Sequence, residues 1–150
     1  LKKFQPIVEA AKIRDANESD TVVLLTGILS DILGFDKYTD ITTEHSIRGT
    51  FCDLAVKING KISIIIEAKA IGIDLKDQHV KQAVDYGANK GIDWVILTNG
   101  VTWRVYKLLF TNSSFFIIFC NTLVILSSDV VFGCFFPICK SVIFSESDVS

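Results

Sequence analysis

A chain of 150 residues, 49% apolar and 21% charged, has the length of one domain and enough apolar content to build a core, which excludes a disordered or collagen-like chain. The formal charge of −2 provides no global basic field, which weakens a pure DNA-coating role, and any nucleic-acid binding must use a local patch. Residue 1 is leucine and methionine is absent, which reads as a fragment or a truncated reading frame.

The bulk figures average two unlike parts. Up to Lys107 there are 14 Lys+Arg and 14 Asp+Glu, whereas no charge stands between Leu108 and Ser128, and the tail carries eight of the 11 phenylalanines with Cys120, Cys134 and Cys139. The division expected is a domain over 1–107 and an apolar, Cys/Phe-rich tail over 108–150, either a buried hairpin or the product of a shifted frame. The run 115–126 is broken by Asn121 and Thr122 and is shorter than the roughly 20 residues a spanning helix needs. Residues 1–15 lack the apolar stretch of a signal peptide, so the first part is expected in the cytoplasm, with no membrane partner. Cys134 and Cys139 do not have paired CxxC spacing, and Cys52 sits in a strand pattern; reduced thiols are expected rather than zinc or disulfides.

In chain order, residues 3–13 carry Phe4, Ile7 and Ala11 near helical spacing. Asn17 can cap a second helix, with Glu18 and Asp20 at its positive end, Val22, Leu25, Ile28, Leu29, Ile32 and Leu33 as its buried stripe, and Gly34 as its stop. Residues 38–47 read as a strand and Arg48-Gly49 as a bend. Residues 51–58 and 61–68 form the clearest hairpin, with apolar residues at every even position. If both apolar rows share one face, paired residue numbers must sum to an even value, so the loop is expected to be three residues, Ile58-Asn59-Gly60, with Gly60 left-handed. Asp53, Glu67 and Lys69 then share a face. A loop over 72–76, a helix capped by Asp77 and running to Asn89 with Val80, Ala83, Val84 and Ala88 inward, a buried strand 94–98, an Asn99-Gly100 turn and a strand 101–108 complete the chain. The order α-α-β-β-β-α-β-β predicts an α/β (α+β) domain with a mixed central sheet flanked by helices.

Chemistry concentrates where strands end. Asp53 and the triplet Glu67-Ala68-Lys69 put two acids and a lysine beside one another. Carboxylates on a rigid hairpin suit Mg²⁺, which keeps several waters, and a neighbouring lysine can orient a water for attack on phosphorus. Polar groups at once after the apolar run 62–66 would be costly unless paired. A Glu-x-Lys triplet alone is far more often a surface ion pair on a strand end than a site.

The wider context resembles the PD-(D/E)xK nuclease superfamily, and within it the N-terminal nuclease domain of type I restriction enzyme R subunits. The resemblance spans about 14–107: Asn17-Glu18 opening a helix that ends in Leu33-Gly34-Phe35, then Arg48-Gly49-Thr50-Phe51-Cys52-Asp53, Ile64-Ile65-Ile66-Glu67-Ala68-Lys69, Gln82-Ala83-Val84-Asp85-Tyr86, and Trp94-Val95-Ile96-Leu97-Thr98-Asn99-Gly100 leading to Trp103-Arg104-Val105-Tyr106. It implies a restriction-endonuclease-like fold and a Mg²⁺-dependent (or Mn²⁺-dependent) endonuclease acting on DNA within a restriction system, with modification and specificity subunits as partners. It implies that Asp53 and Glu67 bind the metal, that Lys69 positions the nucleophilic water, and that Glu18 is the helix-borne acid at the metal. Gln82 and Tyr86 resemble a Gln-x-x-x-Tyr element that supports the site and the DNA backbone; by themselves they read as a solvated helix face with a half-buried tyrosine. Lys76 and Lys81 are candidates for phosphate contact. The namesake proline is Cys52 here, and nothing after Leu108 joins the resemblance.

Other chemistries find little in the sequence. His45 and His79 lack ligand spacing, no Gly-x-x-x-x-Gly-Lys loop offers an ATP site, and no serine or cysteine nucleophile motif stands out. Two other classes stay open: a catalytically silent nucleic-acid-binding or subunit-docking module with the same fold, and a small protein held to a membrane by residues 108–139.

Overall fold

The structure, a computed structural model, describes residues 3–47, 50–111 and 115–124. Within them the chain runs α1 (Gln5–Ile13), α2 (Glu18–Asp31), β1 (Ile41–Ile47), β2 (Thr50–Ile58), β3 (Lys61–Ala68), α3 (Asp77–Lys90), β4 (Trp94–Thr98), β5 (Thr102–Phe110) and β6 (Phe115–Val124). The six strands form one mixed sheet in the order β1-β2-β3-β4-β5-β6. Only β3 and β4 pair in parallel, joined by the α3 crossover, as parallel neighbours require. The α/β class is the one expected from the sequence, and the observed order is the expected one with β6 added.

Helices cover both faces. On one, α1 and α2 bury Phe4, Val8, Leu25, Ile28 and Leu29 against Leu54, Val56, Ile64, Ile66, Ile96 and Trp103. On the other, α3 buries Ala83, Val84 and Tyr86 against Ala55, Ile65, Val95, Leu97 and Leu108. Strand β3 is thus dry on both faces, which is why Ile64-Ile65-Ile66 reads as an unbroken apolar run rather than an alternation.

Several local expectations need correction. In α1 the inward residues are Phe4, Val8 and Ala11, and Ile7 is exposed. Residues 38–40 belong to a turn, because Asp36 Oδ1 accepts the N–H groups of Tyr38 and Thr39 at 2.9 and 2.8 Å. Such a side-chain acceptor competes with strand pairing. The N-cap of α3 is Lys76, not Asp77; His79 Nδ1 accepts the Lys76 N–H at 3.2 Å, and Gly91 closes the helix with φ +62°. The Arg48-Gly49 bend lies outside the described residues.

The β2–β3 hairpin satisfies the parity argument by a different device. Ile58 pairs with Lys61 across a two-residue Asn59-Gly60 turn, both residues at positive φ, the type I′ geometry that matches strand twist. The register then shifts, so that Lys57 faces Ile62 while Val56 faces Ile64. Ser63 is the extra residue of a β-bulge, which restores the even register for Leu54–Ile66. The loop is therefore two residues, not three, and Ile62 turns to the α3 side while Ile64 stays on the α1/α2 side.

Lys107, where the composition changes, lies inside β5, and the sheet continues through β6, which pairs with β5 from Thr102–Val124 to Phe110–Phe115. The expectations for 125–150, including Cys134 and Cys139, fall outside the described residues. Among the described residues no helix is long and apolar enough to cross a membrane.

Helix α3 comes closest to the sheet at Gly87. A Cβ there would stand 2.9 Å from Val95 Cγ2, 3.1 Å from Leu108 Cδ1 and 3.3 Å from Ile65 Cδ1. Alanine gains up to about 1 kcal/mol of helix propensity over glycine, but overpacking costs about 1–3 kcal/mol. Gly87→Ala is expected to lower the denaturation midpoint, as measured by urea unfolding followed by circular dichroism; an unchanged or raised midpoint would mean that α3 lifts off the sheet without cost.

Candidate active site

The site forms where β2 parts from β3. Their ladder runs to the Leu54–Ile66 pair, and beyond it the Ala68 N–H is taken by a side chain, Asp53 Oδ2, at 2.7 Å. The even-position row expected on one face also breaks here: Cys52 packs on the α3 side, while Leu54 lies on the α1/α2 side. On its other edge β3 stays joined to β4 one residue further, through Lys69 N–H to the Thr98 carbonyl at 2.8 Å. The divergence of β2 opens a gap that a carboxylate fills.

Glu67 is only 5% exposed. Its Oε1 accepts a hydrogen bond from Lys69 Nζ at 2.7 Å, and the same ammonium lies 3.5 Å from Glu18 Oε2. The lysine side chain is 15% exposed, whereas that of Glu18, in the first turn of α2, is half exposed. Burial raises the Glu67 pKa above the ordinary 4.5; the Lys69 hydrogen bond and charge oppose this, and the nearby charges of Asp53 and Glu18 reinforce it. For Lys69, burial works against the charged form, but the hydrogen bond and charge of Glu67, with Glu18 and Asp53 beyond, outweigh it and hold the pKa above the usual lysine value. Both shifts run upward because Glu67 is nearly dry while Lys69 answers more than one carboxylate.

An open cleft of about 290 Å³ lies alongside, lined by Glu18, Ser19, Val22, Thr43 and Asp53. Asp53 and Glu67 present a hard, oxygen-only donor pair, the kind that suits Mg²⁺ held by one or two carboxylates with water completing the shell. Glu67 is crowded by other negative charge, so a divalent cation would be welcome there. Among the described residues, no three His, Cys, Asp or Glu side chains form a group that could hold a metal ion by themselves.

The remaining expected residues divide. Tyr86 is buried and hydrogen-bonded with Cys52, the neighbour of Asp53 in β2; burial pushes the Cys52 thiol up to about 11 and lifts the tyrosine well above its usual value. Such a thiol is inert as a nucleophile. Gln82, one turn earlier on α3, is exposed and makes no hydrogen bond to Asp53, Glu67 or Lys69 among the described residues. Lys81 is paired with Asp85 at 2.5 Å and Lys76 is exposed. No spacing rule in the sequence encodes the Cys52–Tyr86 hydrogen bond. Asn99 reads in the sequence only as a turn residue. Asn99 is buried; its Oδ1 accepts the N–H groups of Val101 and Thr102, and its Nδ2 donates to the Ile73 carbonyl at 2.9 Å, anchoring the loop that follows Lys69. An Asn-Gly pair directly after a buried strand was the available signal.

Residues 28–118 match the family described as the type I restriction enzyme R protein N terminus. The chain belongs to this family. No curated protein and no solved structure matches it. The span matched to the R-protein N-terminal family contains Asp53, Glu67, Lys69, Gln82 and Tyr86 but begins after Glu18, and it runs past Leu108 into β6, further than the resemblance read from the motifs.

The raised Glu67 pKa has a stability consequence. Where the folded-state pKa of an acid exceeds its unfolded value, the folded chain holds the proton more tightly. That contribution is full below the unfolded pKa and is lost as pH rises through the folded one. Lys69 titrates far above this window and does not alter the sign. Glu67→Gln is therefore expected to gain stability relative to the native chain as pH is raised from about 4 to 8, measured by urea denaturation at each pH; a pH-independent difference would mean that Glu67 titrates as in the unfolded chain.

Proposed function

We propose that this chain is a metal-dependent DNA endonuclease domain of the type I restriction R-protein kind, with the site architecture of the PD-(D/E)xK nucleases. The observation that carries the reading is the pairing of nearly dry Glu67 with Lys69 at 2.7 Å, beside an Asp53 carboxylate fixed by a backbone N–H at the end of the adjacent strand. Structural ion pairs on strand ends do not need a second acid held in the gap between strands, nor an open cleft next to it.

On this reading Asp53 and Glu67 hold the cation, Mg²⁺ or in its place Mn²⁺, which supplies charge stabilisation at the phosphate and lowers the pKa of water. Asp53 is oriented by the Ala68 N–H, so its carboxylate needs little reorganisation when DNA binds. Lys69 carries three donors; it orients the attacking water and balances negative charge gathering at the phosphorus. Tyr86 supports β2 through Cys52, and Gln82, exposed on α3, would contact the DNA backbone. DNA is the substrate, and the modification and specificity subunits of a restriction complex are the protein partners, which agrees with a chain of net charge −2 that has no large basic field of its own for reading sequence.

The full chain is expected to nick supercoiled plasmid with Mg²⁺ or Mn²⁺ and not with EDTA, and Glu67→Gln or Lys69→Met is expected to lower the rate at least about a hundredfold. A folded chain that shifts DNA in a gel yet never cuts it, even at high Mn²⁺, would instead identify a silent docking module.

A further inference from the structure

Resting on the reading above, the acid of α2 calls for a role different from that of a metal ligand. Glu18 lines the same cleft as Asp53, but among the described residues it does not form with Asp53 and Glu67 a group of three that could hold a metal ion. What it reaches is Lys69, 3.5 Å from its Oε2.

We propose that Glu18 is a positioning residue for Lys69, a second carboxylate that keeps the ammonium at the site when Glu67 turns to the cation. The two residues sit on segments the fold ties together. Asn17 Oδ1 caps α2 by accepting the Asp20 N–H at 2.9 Å, and Thr21 Oγ1 donates back to the Asn17 carbonyl at 2.9 Å, which fixes the turn that carries Glu18. Immediately before it, the Ala16 carbonyl accepts the N–H of Ile71, two residues after Lys69, at 3.2 Å. Gly72 continues this contact: a Cβ there would lie 3.0 Å from Asp15 Oδ1. The start of α2 and the backbone leaving Lys69 are therefore tied by direct backbone contact.

The physical need follows from charge. An ammonium bonded to Glu67 competes with any cation bound by that carboxylate, and like charges side by side repel. Without a second anchor, Lys69 would swing to water when a divalent cation takes over Glu67, and the donor would leave the reacting centre. A half-exposed carboxylate suits this task, because it can hold the ammonium loosely without the burial that makes Glu67 costly to charge.

The test compares the full-length chain with Glu18→Gln, Glu67→Gln and, as a control from the same helical turn, Asp20→Asn. Three readouts are taken: acetylation of Lys69 by an acylating reagent without metal, scored by mass spectrometry against Lys76; Mn²⁺ affinity by electron paramagnetic resonance; and plasmid cleavage at saturating Mn²⁺. Glu18→Gln is expected to raise Lys69 acetylation about threefold, to leave Mn²⁺ affinity unchanged, and to slow cleavage about tenfold through kcat rather than KM for DNA. Glu67→Gln is expected to lose Mn²⁺ affinity, and Asp20→Asn to leave Lys69 as protected as in the native chain. Unchanged Lys69 acetylation in Glu18→Gln, equal exposure in Asp20→Asn, a loss of Mn²⁺ affinity matching that of Glu67→Gln, or native cleavage by Glu18→Gln would each overturn the proposal. If the native chain neither binds Mn²⁺ nor cuts DNA, the nuclease reading fails on its own, and the acetylation arm still decides whether Glu18 holds Lys69.

Discussion

A carboxylate taken nearly out of water at the end of a strand is the constraint on which the rest of this molecule depends. Glu67 follows three isoleucines that are buried on both faces of the sheet, and a charge in that position is unfavourable unless it is met by donors or by opposite charge. The chain meets it with the lysine two residues on. Two consecutive odd positions of one strand end thus form an ion pair that the sheet itself aligns. The dry interior and the polar end are two consequences of one fact, that β3 is a central strand whose last residues emerge where β2 has left its side.

That departure explains the geometry of the second acid. Had β2 continued in register, Cys52 would have opposed Ala68 and the backbone would have closed the ladder. Instead Cys52 turns to α3, where Tyr86 bonds it, and the Ala68 N–H is left to Asp53. Helix α3 acts on the site through a buried tyrosine, while α2 acts on it through the start of a helix bolted to the chain after Lys69. The two covering layers therefore reach the same few atoms from opposite faces, and the close approach at Gly87 keeps one of them in place.

Much of this was legible in the residues, for physical reasons that can be named. Asn17 as a cap and Gly34, at φ +78°, as a stop follow from local backbone chemistry, as does a reversal of the chain at Asn59-Gly60, though not its loop length. The acid–lysine group was legible because charged residues directly after a buried run must be accounted for. The bulge at Ser63 was not: the parity of the apolar rows requires one extra residue, but nothing local says whether it sits in the loop or in the strand. The role of Tyr86 was hidden because an i, i+4 relation to Gln82 says nothing about which member tips inward, and the outcome separates them, one buried and one exposed. The ion pair of Glu18 with Lys69 was not legible either, since helix spacing alone cannot tell a carboxylate that faces a cation from one that faces an ammonium.

The arrangement also bears on why a lysine, not an arginine, stands beside the acids. A planar guanidinium would lock Glu67 with two bonds and fill the space a hard cation needs, whereas an ammonium on a flexible stem makes a single short bond and can move off it. On the proposed nuclease reading Lys69 would stand in for the cation in the free chain: it offsets a carboxylate that would otherwise oppose folding, so the site would be assembled before a metal arrived. The same ammonium would then have to yield the carboxylate without leaving. A nearly dry acid on one side of it and a half-exposed one on the other satisfy both demands, and that asymmetry of burial, more than the identity of the three residues, is what separates this group from an ordinary ion pair at the end of a strand.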